Sequence, residues 1–117
     1  MKPELTNSLS LLEGISDRQL YINLIRQLNK DFMLAGIPAE FDLDLTPDQL
    51  VGELREILQD LLNKQFNDLL NLLYVADLSE SKIRNLKSRE AEPLSDNISY
   101  LLLKRIWKKV WLKQKLS

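Results

Sequence analysis

The chain has 117 residues, 44% of them hydrophobic and 28% charged, which is the composition of one globular domain large enough to bury its own core. It has neither cysteine nor histidine, which excludes a disulfide framework, a thiolate zinc site and a cysteine nucleophile, and removes the commonest general base, metal ligand and pH switch. The net charge of -1 hides a polarity: residues 1–63 hold eleven carboxylates and five cations, and residues 64–117 hold six and eleven.

Leucine supplies 27 positions and favours helix, while β-branched and aromatic residues are sparse, so the expected class is all-α. The start, Met1-Lys2-Pro3-Glu4-Leu5-Thr6-Asn7, lacks the apolar stretch of a secretory signal. No apolar run approaches the roughly 20 residues that span a bilayer. A cytoplasmic location is therefore the expectation, and a calculated pI near 5.5 argues against the whole protein coating nucleic acid.

In chain order, residues 1–15 form an N-terminal arm with Leu5, Leu9 and Leu12 at helical spacing, suited to a short helix on the bundle or on a partner. Ser16-Asp17-Arg18-Gln19 fits a capping box, with Ile15 and Leu20 as its hydrophobic staple. The helix it opens runs over about 17–35, turns Leu20, Leu24, Leu28, Phe32 and Ala35 inward, and ends at Gly36 with Pro38 beyond. Residues 37–46 form an extended acidic connector. Within it Phe41-Asp42-Leu43-Asp44-Leu45 alternates with period two, which reads either as a connector that tucks Phe41 and Leu43 into the core or as a strand pairing across a dimer.

Thr46-Pro47-Asp48-Gln49 is a second capping box, stapled by Leu45 and Leu50, with proline at the first helical position. It predicts a long central helix over about 47–74, about 40 Å in length. Leu50, Leu54, Ile57, Leu58, Leu61, Leu62, Leu69, Leu72 and Leu73 line its core face. Gln65 falls inside that stripe and reads as a buried amide with a satisfied hydrogen bond, and Gly52 as the mark of a close helix crossing. Ser79-Glu80-Ser81-Lys82, stapled by Leu78 and Ile83, opens a short helix to about Ser88. Residues 89–95 form a polar linker in which Pro93 ends any helix. A last helix over about 96–115 puts Ile98, Leu102, Leu103, Ile106, Trp107 and Val110 on one broad face. The whole, residues 1–117, is a single helical bundle of about four helices, with the central helix as its post.

The candidate interaction surface is the basic end of that last helix: Lys104, Arg105, Lys108, Lys109, Trp111, Lys113 and Lys115. Six positive charges and no negative one lie in residues 97–117, together with both tryptophans. Such a helix suits an anionic membrane, the phosphates of a nucleic acid or a protein groove. It also suits a terminal bundle helix with Trp107 in the core, Trp111 at the rim and solvated lysines. A third reading lays it against the acidic stretch of residues 31–60, which holds eight carboxylates and only Arg55. Asp42, Asp44 and Asp48 could hold a hard cation, but the spacing does not match an EF-hand loop, and carboxylates around a cap are ordinarily solvated. Asp77 and Glu80 pass for paired carboxylates, yet their spacing at a helix junction reads as turn and cap. With three glycines and no phosphate loop, nucleophile elbow or dinucleotide fingerprint, no cofactor is implied.

Leu69-Leu70-Asn71-Leu72-Leu73-Tyr74-Val75-Ala76-Asp77-Leu78-Ser79-Glu80-Ser81-Lys82, with Leu103-Lys104-Arg105-Ile106-Trp107-Lys108-Lys109-Val110, resembles small uncharacterised helical proteins of Bacteroidetes-type bacteria. In those proteins an arginine often follows the tyrosine, where Val75 stands here, and acidic or glutamine positions of the last helix are lysine and tryptophan here. The resemblance covers about Thr46 to Lys115, implies no established activity and transfers no functional residue. The functional expectation is a non-catalytic cytoplasmic protein acting through protein contacts or as a homodimer. The alternative is reversible binding of an anionic surface by the last helix.

Overall fold

The computed structural model describes residues 3–79, 81 and 91–116, with side chains over 7–79, 81 and 94–116. Among the described residues the protein is all-helical and has no strand: α1 (Pro3–Glu13), α2 (Arg18–Leu34), α3 (Pro47–Lys64), α4 (Phe66–Val75) and α5 (Ala91–Leu116). The expected short helix from Glu80 to Ser88 lies outside the described residues, apart from Ser81, whose hydroxyl is 3.4 Å from that of Ser79.

The N-terminal arm is a full member of the bundle. Leu12 and Ser8 are buried, and α1 packs along α5 and against α3. α2 starts one residue later than its expected box. Asp17, not Ser16, is the N-cap and accepts the Leu20 amide at 3.2 Å, while Gln19 turns to Asn23. A carboxylate at the positive end of the helix dipole outcompetes a hydroxyl for that role. The α2 C-terminus closes as a Schellman motif: Gly36, at φ +79°, donates to the Met33 carbonyl, and Ile37 donates to that of Phe32.

The connector after α2 forms no ladder, and among the described residues there is no strand for it to pair with. Its backbone is held by side chains instead. Asn29 grips Phe41 from both sides, its amide donating to the Phe41 carbonyl at 2.9 Å and its oxygen accepting the Phe41 N–H at 2.7 Å. The Tyr21 hydroxyl donates to the Leu45 carbonyl at 2.6 Å. Phe41 is buried edge-on against Phe32, 5.2 Å between ring centres, and Leu43 is half-buried.

The long central helix is two helices. α3 begins with the expected Thr46–Gln49 capping box and buries Leu50, Leu54, Leu58 and Leu61. The backbone then breaks at Gln65 (φ −142°, ψ 61°), and α4 buries Leu69, Leu72 and Leu73. A straight helix would carry Gln65 into the apolar stripe, where an unpartnered amide costs about 1–3 kcal/mol. The break turns Gln65 out to solvent instead. Gly52 marks no crossing either: it is exposed, and a Cβ built there meets nothing within 4 Å.

The post of the bundle is α5, which packs on α1, α3 and α2. It starts at Ala91 rather than near Asp96, so residues 91–95 are helix and not linker. Pro93 lies inside this helix, as the third of its described residues, and does not end it. Leu94, Ile98, Leu102, Leu103, Ile106 and Val110 form one buried face along about 25 Å of helix, longer than the unbroken face of either half of the 47–75 segment.

Candidate interaction surface

The basic residues of α5 divide into two stripes by helical phase. Lys104, Lys108, Trp111 and Lys115 recur at i, i+4, i+7 and i+11, on the side opposite the buried face, and all four are exposed. Tyr100, one turn earlier on the same line, is half-buried. The Lys104 ammonium sits 5.7 Å over the Tyr100 ring and that of Lys115 sits 4.7 Å over Trp111. Trp107 is half-buried against the core.

Arg105, Lys109 and Lys113 form the other stripe; Arg105 and Lys109 are half-buried and turn inward, and Lys113 at its end is exposed. The Lys109 ammonium donates to the buried Asp31 carboxylate at 2.8 Å and to the Val75 carbonyl at 3.1 Å. Arg105 donates to the Ala76 carbonyl at 3.1 Å and to Asp77 at 3.0 Å. Lys113 donates to Gln27 at 2.9 Å, and Gln27 in turn donates to Asp31 at 2.9 Å. These contacts complete the C-terminus of α4. Asp77, left-handed at φ +65°, and Leu78 return their amides to Tyr74 and Leu73 in a second Schellman motif. The carbonyls of Val75 and Ala76, which that motif leaves over, are taken by the two cations of α5, with the helix dipole favouring positive charge there. Arg105 and Lys109 are therefore removed from the expected surface: they hold α2, α4 and α5 together, while Lys113 stays exposed and touches α2 through Gln27.

The charge polarity of the chain is partly spent inside the bundle. Lys109 with Asp31 joins the basic helix to the acidic stretch, and Arg55 approaches the fully buried Asp96 to 3.8 Å in the reverse sense. Asp42 accepts the Asp44 amide and Asp44 lies 3.6 Å from Arg18, so these carboxylates serve a turn and a surface ion pair. Among the described residues no group of three potential ligands gathers where a metal ion could sit. Asp77 belongs to the α4 terminus, and Glu80 lies outside the described residues. Burial pushes the Tyr21 hydroxyl above its ordinary pKa of 10.0, and the Arg18 charge pulls it partly back.

Sequence reasoning passed over Asn29, Gln27 and the exposed pair Arg26 and Lys30, and took Asp31 only as the first residue of the acidic stretch. Asp31 had a signal: it stands beside Phe32 on the otherwise apolar side of α2, where a carboxylate needs a buried cation. Arg26 and Lys30 line shallow grooves on both flanks of α2, one against Val110, Lys113 and Gln114 of α5 and one of about 670 Å³ against Met33, Ile37 and Pro38. Compared with protein-family models, with curated proteins and with solved structures, the chain finds no match.

Proposed function

We propose that the protein is a non-catalytic binding module whose working surface is the outer face of α5, directed at an anionic partner. One observation carries the reading. After the bundle has taken Arg105 and Lys109, α5 still presents Lys104, Lys108 and Lys115 beside Trp111 on one exposed line, with no acidic residue in the helix beyond Asp96. A bundle helix that needed only solubility would mix signs along its outer face.

Retention on an immobilised polyanion at low salt tests this. The whole chain carries a net charge of -1, so retention has to come from a local patch. The wild type is expected to bind and to elute as salt rises. Lys104→Gln/Lys108→Gln/Lys115→Gln is expected to flow through with unchanged helical circular dichroism. The charge-matched control Arg18→Gln/Lys30→Gln/Lys64→Gln is expected to behave as wild type. An unretained wild type, or equal loss in both triple variants, sinks the proposal.

Self-association has its own support in Met33 and Leu34, 68% and 59% exposed at the end of α2 beside the Ile37–Pro38 groove. The leucine stripe of α3 and α4 offers it nothing, because Leu50, Leu54, Leu58, Leu61, Leu69, Leu72 and Leu73 are buried within the bundle. Light scattering on the same samples separates the two readings: a dimer at micromolar concentration favours self-association, and a 13.6 kDa monomer removes it.

A further inference from the structure

We infer that the anionic partner is a lipid bilayer surface, met by the last turn and a half of α5 together with its outer lysine stripe. The inference rests on the preceding proposal and narrows it. Every residue from Trp111 to Leu116 is exposed, and Lys113 among them reaches back to Gln27 of α2. Its apolar members are large: Trp111 is 42% exposed, Leu112 39% and Leu116 86%. Lys113 and Lys115 stand among them, and Lys104 and Lys108 continue the charge along the outer face. Indole and leucine side chains interleaved with lysine suit the boundary between headgroups and acyl chains, where the apolar groups leave water while ammonium groups stay with lipid phosphates.

A nucleic acid fits these residues less well. It would use the lysines and one indole face, the other lying under the Lys115 ammonium. Two exposed leucines gain nothing from a phosphate backbone. In an interface each removes apolar area from water. Among the described residues no helix is long and apolar enough to cross a membrane, so the contact is peripheral, lying on one leaflet.

The test uses the full chain with vesicles of phosphatidylserine and phosphatidylcholine, with vesicles of phosphatidylcholine alone, and with single-stranded and duplex DNA. Co-sedimentation and tryptophan emission are read together. Binding to the anionic vesicles is expected to shift the emission to the blue, and the shift is expected to vanish in Trp111→Phe. Leu112→Ser/Leu116→Ser keeps every charge and touches no buried residue. It is expected to lower the vesicle partition coefficient about tenfold or more while retention on the polyanion stays as in wild type. Vesicle binding that survives the leucine replacements unchanged overturns the inference, because the contact would then be charge alone. Salt-sensitive binding of DNA without vesicle binding also overturns it and leaves the polyanion reading standing. A wild type that binds no polyanion of any kind removes both.

Discussion

Two residues in left-handed backbone, Gly36 and Asp77, end α2 and α4 by the same hydrogen-bond pattern. Ala35-Gly36-Ile37 and Ala76-Asp77-Leu78 are matching triplets, with an apolar residue placed to cap the helix from below. The first was legible because glycine announces the conformation. The second was read as turn and cap, but its left-handed conformation was not legible, because an aspartate does not announce it as a glycine does. Gly52 shows the opposite error, a glycine read as a packing contact that is a bare cost in helix propensity. Gly52→Ala is expected to raise unfolding free energy by about 0.5–1 kcal/mol in denaturant titration, since nothing opposes the added methyl. Tyr21 links α2 to the connector through a hydroxyl whose pKa is raised by burial. Its neutral form is favoured in the folded state. The stabilisation is therefore complete below the unfolded pKa of 10.0 and is lost as pH rises through the higher folded value. Tyr21→Phe is expected to flatten the fall in stability between neutral pH and about pH 11, measured by the same titration.

At the scale of elements, the capped starts of α2 and α3 were read well, and the start of α4 and the helix lengths badly. The Thr46 box and the start of α2 depend on residues within one turn, so they were visible to within one position. The break at Gln65 depends on what lies opposite the stripe. Leu61 and Leu69 keep helical phase across it, and only the presence of a core makes the glutamine intolerable there. The same holds for the two basic stripes of α5. Periodicity put all the cations on one amphipathic helix, but their division needed the α4 terminus and Asp31 to be in place. That division predicts unequal mutational costs. Asp31→Asn leaves the Lys109 ammonium partly buried against a neutral amide and is expected to lower stability by about 2–3 kcal/mol. Lys108→Gln, on the outer stripe, is expected to change stability by less than about 0.5 kcal/mol. The double variant Asp31→Leu/Lys109→Met is expected to recover roughly half of the loss, which a double-mutant cycle by chemical denaturation reads directly.

For the molecule as a whole, the charge polarity between the two halves of the chain serves two ends. Part of it closes the bundle through Lys109 and Asp31, and part is left on the outside of α5, where the proposed contact lies. The all-α class, the capped starts of α2 and α3 and the buried face of α5 were set by the sequence alone, because composition, capping and periodicity act over a few residues and need no distant partner. Tertiary structure decided the rest. It made α5 rather than the 47–75 segment the post, drew the arm into the bundle, broke the helix at Gln65 and sorted the cations into those that brace and those that face outward. The first two turn on the burial of apolar faces and the last two on the cost of leaving a polar group unpartnered beside a core, and both arise only once elements far apart in the chain have come together.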